Sequence, residues 1–302
     1  MKTTVKYALG SVLLGVIVLA LKFLAYWLTG SVALLSDALE SIINIVAAAA
    51  AVVALRVSAM PADENHPFGH SKAEYLSAVL EGILIVVAAL AILRSAWLSL
   101  DDLTPLDAPV VGLALNAVAT ALNAVWGFIL IRQGRKYRSL ALVADGKHLY
   151  TDVITSGGVF LGVILVTVTH ILWLDPLIAA LVAVNILWAG WGLVRESVGG
   201  LMDEAVPPEE LARISTIIFE HSEGAYQAHD LRTRLAGHQT FIDFHLVVPG
   251  AMTVDEAHDI CDRLEEALIE AVADSTVSIH VEPEQKAKTT TVCAPTIEPD
   301  AS

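Results

Sequence analysis

Six long apolar stretches, separated by short polar breaks, fill the first two thirds of the chain. They run roughly from Val5 to Leu28, Val32 to Arg56, Tyr75 to Leu100, Pro109 to Arg132, Leu140 to Ile171 and Pro176 to Leu201. Each is long enough to cross about 30 Å of hydrocarbon at about 1.5 Å of helical rise per residue. Beyond Pro207 and Pro208 the pattern becomes that of a compact α/β unit. It predicts a helix near Glu209 to His221, strands near Gln227 to Leu235 and Thr240 to Val247, a helix from Thr253 to Val272 and a strand near Thr276 to Val281. Gly237 supplies a hairpin turn, and Thr253 with Glu256 forms a capping box. After Pro283 no periodicity remains. The expected architecture is a membrane all-α six-helix bundle with inverted-repeat character over residues 1–206. A cytosolic α/β domain of αββαβ order follows over 207–285, and a disordered tail over 286–302.

Composition sharpens this division. The chain is 55% hydrophobic, beyond what a soluble protein carries. Residues 1–202 hold 12 Lys/Arg against 13 Asp/Glu, whereas residues 203–302 hold 6 against 20, so nearly all of the net charge of −15 belongs to the last third. An acidic soluble domain argues against nucleic acid and suits cationic partners. Lys2 and Lys6 precede an apolar run that continues to Leu28 without a small-residue cleavage site, which reads as a retained first span. Lys2, Lys6, Arg56, Lys72, Arg132, Arg135, Lys136 and Arg138 all fall on one set of span ends. The opposite loops carry none, so both termini are expected in the cytosol. Two cysteines, Cys261 and Cys293, have neither zinc-knuckle nor disulfide-framework spacing.

The chemistry lies in a repeat. The second span reads Asp37-x-x-Glu40-x-x-x-Asn44 and the fifth reads Asp145-x-x-His148-x-x-x-Asp152. An ionisable group at the bilayer centre costs about 2.5 to 3.5 kcal/mol on insertion scales and is retained mainly where it acts. Residues four apart on a helix share one face, about 6 Å apart along the axis, so each pair aims two donors the same way. The second span runs outward to inward and the fifth inward to outward, which sets Glu40 level with Asp152 and Asn44 level with His148. Two carboxylates, an imidazole and an amide suit a small divalent ion nearer zinc than calcium. The ordinary alternative is that such groups bond to one another and hold helices together.

Two further groups stand outside the spans. Asp63, His66 and His70 lie within eight residues of a loop bent by Pro67-Phe68-Gly69 and can enclose one ion. In the soluble part His229, His245, His258, His280 and Glu282 form a second candidate set, with His280 and Glu282 on one face of a strand. His221 and His238 do not fit it, and Cys261 reads as a core residue.

These residues resemble the cation diffusion facilitator family, in particular its bacterial zinc/iron exporters. The resemblance rests on Gly30 to Asp37, the Asp63 to Lys72 loop, Ala144-Asp145 with His148 and Asp152, Leu201-Met202-Asp203, and Ala228 to Arg234. It implies a homodimeric metal/proton antiporter in the lipid bilayer of the cell's inner (cytoplasmic) membrane, with a metallochaperone-like cytosolic domain. Its transport ligands would be Glu40, Asn44, His148 and Asp152, with a loop site at Asp63, His66 and His70 and a dimer-interface site in the tail domain. A Lys72 to Asp203 charge lock would join the membrane and soluble parts. The substrate and structural ion expected is Zn(II), with Fe(II), Mn(II), Co(II) and Cd(II) as alternatives. The family usually places Asp or His at position 40 and Asp at 44, where this chain has Glu and Asn, and an amide cannot release a proton. That departure keeps a second expectation open, a non-transporting membrane metal sensor or scaffold dimerising through its C-terminal domain. No nucleophile elbow or phosphate loop supports an enzyme.

Overall fold

A computed structural model describes residues 3–29, 32–100, 110–169, 171 and 173–288, with the side chains of some of them, Asp37 and Glu40 included, outside the description. The chain divides into two units, residues 1–198 and 199–302.

The first unit is six long helices: α1 (Thr3–Thr29), α2 (Val32–Ser58), α3 (Ala73–Ser99), α4 (Val110–Lys136), α5 (Leu140–Thr169) and α6 (Leu174–Leu201). At 27 to 30 residues each measures about 40 Å. Among the described residues α1, α3, α4 and α6 are both long and apolar enough to cross a membrane. Helices α2 and α5 are equally long and are the two that carry the repeated polar motif. Helix α5 packs on α4, α3 and α2, and α1 packs on α2 and α4. Small residues permit the α4–α5 approach: a Cβ on Gly146 would stand 2.7 Å from Ile131 and 3.0 Å from the Gly127 carbonyl oxygen. At one end of the bundle the buried Glu74 of α3 accepts hydrogen bonds from Ser58 at 3.1 Å and Ser139 at 2.5 Å, joining the end of α2 to the start of α5.

The second unit has the order α7 (Pro208–His221), β1 (Gln227–Ala236), β2 (Gln239–Val248), α8 (Val254–Ala271) and β3 (Ser275–Pro283), which is the αββαβ order read from the sequence. Strand β2 is central, antiparallel to β1 and parallel to β3. Gly237, at φ 61°, takes the left-handed conformation that the tight β1–β2 turn requires. On β2 the alternating Ile242, Phe244, Leu246 and Val248 face Ile214 and Ile218 of α7 and Ile260, Leu264 and Leu268 of α8. Cys261 belongs to this core, where burial pushes its thiol further up. Cys293 lies outside the described residues. Of the expected tail, Lys286 ends a short 3-10 turn and Lys288 is bonded to β1, while 289–302 lie outside the described residues.

Thr253 caps α8 as expected: its hydroxyl accepts from Glu256 N, and Glu256 returns a bond to Thr253 N at 2.8 Å. The Thr253 N–H holds the Glu256 carboxyl below its ordinary value of 4.5. The reciprocal bond is therefore complete at neutral pH and is lost as acid protonates the carboxylate. Thr253→Ala is expected to destabilise the tail domain by about 1 kcal/mol and Leu264→Ala by about 2 to 5 kcal/mol. Hydrogen exchange of the β2 amides in the full-length protein reads both.

Candidate metal centres

The first centre forms where α2 meets α5. Asn44 is buried there; its Nδ2 donates to Asp152 Oδ2 at 2.5 Å and its Oδ1 lies 2.7 Å from His148 Nε2. His148 and Asp152 stand one turn apart on the same face of α5. Three of the four donors expected from the repeat thus meet at one point. Glu40 precedes Asn44 by one turn of α2, and its side chain lies outside the described residues. The amide assigns roles to its neighbours. Its nitrogen only donates, so Asp152 accepts; its oxygen only accepts, so the hydrogen between Asn44 and His148 sits on Nε2. An ion binding through Nε2 must first displace that hydrogen.

Beside this group, Asp145 is the first position of the α5 motif and Glu81 lies on α3; both are buried and within electrostatic reach of each other. Ser11 of α1 bonds Asp145 and also accepts from Trp126 Nε1 at 2.9 Å, which ties α1, α4 and α5 together.

The loop between α2 and α3 gathers the second centre around Asp63. Its Oδ1 accepts from the backbone N–H of His66 at 2.7 Å and of Asn65 at 3.0 Å, the geometry of an Asx turn. The same oxygen is 3.1 Å from His66 Nδ1, while Oδ2 is 3.4 Å from His70 Nε2. The two imidazoles lie 4.3 Å apart between ring centroids. One donor atom from each of the three residues lies within 4.8 Å of the others. Hydrogen bonding from the His66 N–H holds the Asp63 carboxyl below its ordinary 3.8. The turn therefore persists in mild acid and opens as pH falls through that lowered value.

The third centre is a consequence of sheet register. His229 of β1 pairs with His245 of β2, and His245 pairs with His280 of β3, so three imidazoles line up across the sheet. They occupy the face opposite Ile242, Phe244 and Leu246, away from the helices. Ring centroids are 5.3 Å apart for His229 and His245 and 4.9 Å for His245 and His280. Glu282 bridges all three: its Oε2 is 3.3 Å from His229 Nε2, and its Oε1 is 3.4 Å from His245 Nδ1 and 3.7 Å from His280 Nε2. None of these approaches has hydrogen-bond alignment at His229 or His245: both ring nitrogens of the fully buried His229, with His245 Nδ1 and Glu282 Oε2, lack a hydrogen-bond partner among the described residues. Converging nitrogen and carboxylate donors, with those of the buried His229 left unsatisfied, suit a divalent transition-metal ion.

His258 is not brought to this cluster. The apolar face of α8 is made by Ala257, Ile260, Cys261, Leu264 and Leu268, which turns position 258 outward. There His258 is exposed and pairs with Asp262, 3.6 Å away on the same helix. Within one protomer the described contacts of His258 are thus on its own helix, apart from the histidines of the sheet. Asp230 was missed from sequence, because adjacent strand residues point to opposite faces. A bulge between His229 and Arg232, with Asp230 at φ 53°, turns its carboxylate back, and Oδ2 stands 4.0 Å from His245 Nδ1. The Asp-Leu-Arg sequence after His229 held no signal for this. Asp203, expected opposite Lys72, bonds Arg234 at 3.2 Å within its own unit.

Comparison with known proteins follows this layout. Residues 8–202 match the family described as the cation efflux transmembrane domain, and residues 206–284 the cation efflux protein cytoplasmic domain. A Synechocystis protein named as an uncharacterized transporter is 48% identical over 277 residues, 92% of this chain and 89% of its own length. The cation-efflux pump FieF of Yersinia pestis is 33% identical over 281 residues, 91% of each chain. A solved zinc form of CzrB is 49% identical over 28% of this chain and 98% of its own, with a TM-score of 0.28.

The two roles of Asp63 separate by substitution. Asp63→Asn keeps an acceptor for the His66 N–H and is expected to preserve the loop while weakening zinc binding there. Asp63→Ala is expected to lose both, read as zinc uptake and as amide exchange at Asn65 and His66 in the full-length protein.

Proposed function

Because the chain belongs to the cation efflux family, the cation diffusion facilitators, we propose that it exports Zn(II) or Fe(II) from the cytosol in exchange for protons. The observation that carries this reading is the convergence of Asn44, His148 and Asp152 between α2 and α5. With Glu40 as the fourth donor, a substrate ion would meet two carboxylates, an imidazole and an amide oxygen. Nitrogen with oxygen donors at four positions favours zinc, and iron follows with the same borderline ligands.

In this reading all six helices span the inner membrane, both termini are cytosolic, and the protein works as a homodimer. Loading requires ionised carboxylates and a hydrogen-free Nε2 on His148, so an arriving ion expels protons, and protons on the far side release it. The Asn44 amide must also turn, since its Nδ2 now faces Asp152 and only its Oδ1 can ligate. Because that amide carries no titratable proton, proton release falls on Glu40, His148 and Asp152. Asp63, His66 and His70 would receive the ion at the loop, Lys72 and Asp203 would pair between the two parts, and the His229, His245, His280 and Glu282 cluster would hold a regulatory or structural ion.

A membrane metal sensor is the second reading. It is favoured by the tail cluster, which gathers three imidazoles and a carboxylate without any group from the membrane part.

Flux of Zn(II) and Fe(II) into proteoliposomes, with a pH dye inside, separates these readings. His148→Ala and Asp152→Ala are each expected to slow zinc flux by roughly ten- to a hundredfold, about 1.4 to 2.7 kcal/mol. Asn44→Asp should keep flux and release more protons per ion. Acidifying the loading side should slow transport. Wild-type rates in folded His148→Ala and Asp152→Ala proteins would remove the transport assignment; metal binding without flux in the wild type would favour the sensor.

A further inference from the structure

The tail cluster carries a positive charge of its own. Lys288 is held to β1 by a reciprocal pair of bonds: its N–H donates to Gln227 Oε1 at 2.8 Å, and its carbonyl accepts from Gln227 Nε2 at 2.7 Å. Gln227 lies two residues before His229, so this clasp sets the lysine backbone beside the cluster. From there the Lys288 ammonium bonds Asp230 Oδ2, the same oxygen that stands 4.0 Å from His245 Nδ1. One donor atom each from His229, Asp230 and His245 lies within 4.8 Å of the others.

Asp230 therefore faces two claimants. Its carboxylate completes a histidine-rich donor set, and it is already neutralised by a tethered monovalent cation. A divalent ion seated between His229 and His245 offers Asp230 twice the charge of an ammonium and repels that ammonium at close range. Strand β1 departs from regular pairing to set this up, since Asp230 occupies the left-handed region where a non-glycine residue is uncommon. An ordinary β-residue at this position would point away from His245 and could serve neither role.

We propose that Asp230 is a further metal-binding residue of the tail centre and that Lys288 is its internal competitor, displaced from Asp230 when a divalent transition metal binds. Metal loading thus frees the Lys288 side chain, and the lysine lowers the affinity of the site in the ion-free protein. This rests on the reading of the tail cluster as a metal centre.

The test uses the full-length protein with the other two centres removed by Asp63→Ala, His66→Ala, His70→Ala, His148→Ala and Asp152→Ala. Zinc alone is titrated against a competing chelator. Lys288→Gln is expected to bind zinc about two- to fivefold more tightly, the range of a partly exposed ion pair, and Lys288→Arg to bind like the parent. Asp230→Asn should weaken binding and abolish the effect of Lys288→Gln in the double variant. Zinc bound with unchanged or lower affinity by Lys288→Gln, or with parental affinity by Asp230→Asn, overturns the inference alone. No zinc bound in the parent background removes the tail centre and the inference with it.

Discussion

A polar side chain withdrawn from water must find its partners inside the protein, and in a membrane helix it has no other source. The first unit is organised by this requirement. Asn44, His148 and Asp152 bond to one another across α2 and α5, and Ser11 serves Asp145 and Trp126 together, while among the described residues His148 Nδ1 and both Glu81 carboxylate oxygens are buried without a hydrogen-bond partner. Glu74 closes one end of the bundle through Ser58 and Ser139. The group at Asn44 and the helix-binding groups obey the same rule, but the atoms at Asn44, His148 and Asp152 are also of the kind that can bind a cation. Its amide can offer an oxygen and its imidazole a nitrogen.

The tail domain meets the requirement differently. Its helices cover one face of a three-stranded sheet with Ile214, Ile218, Leu264 and Leu268, and that core needs no polar partner. The other face carries His229, His245 and His280 in a row, with Glu282 across them, because the register of an antiparallel and a parallel pair brings those three positions level. A slip of one residue in either pairing would move a histidine to the helix-covered face. The apolar alternation that builds the core thus also fixes the histidine-bearing face.

Much of this was legible in advance. Apolar stretches of about 25 residues named the six helices within a few residues, since length in lipid is set by bilayer thickness. Period-two alternation with the Gly237 turn and the Thr253 box delimited the αββαβ unit. The repeat in α2 and α5 pointed to the group at Asn44, because helical spacing of four residues alone puts two donors on one face. His258 shows what spacing alone leaves open: a count of nearby histidines ignores which side of α8 is apolar, and Ala257, Ile260 and Cys261 claim the inner one.

What the amino-acid sequence determined by itself was therefore local and periodic: which segments are helices, which are strands, and which polar residues share a face within each. Tertiary structure alone decided which faces meet. It set Asn44 between His148 and Asp152, aligned three histidines from three strands, and drew Asp230 and Lys288 into the same cluster through a bulge and a glutamine clasp. Periodicity carries no information about a left-handed residue that breaks it or about a partner 58 positions away. Those contacts exist only once the packed chain has brought the two segments together.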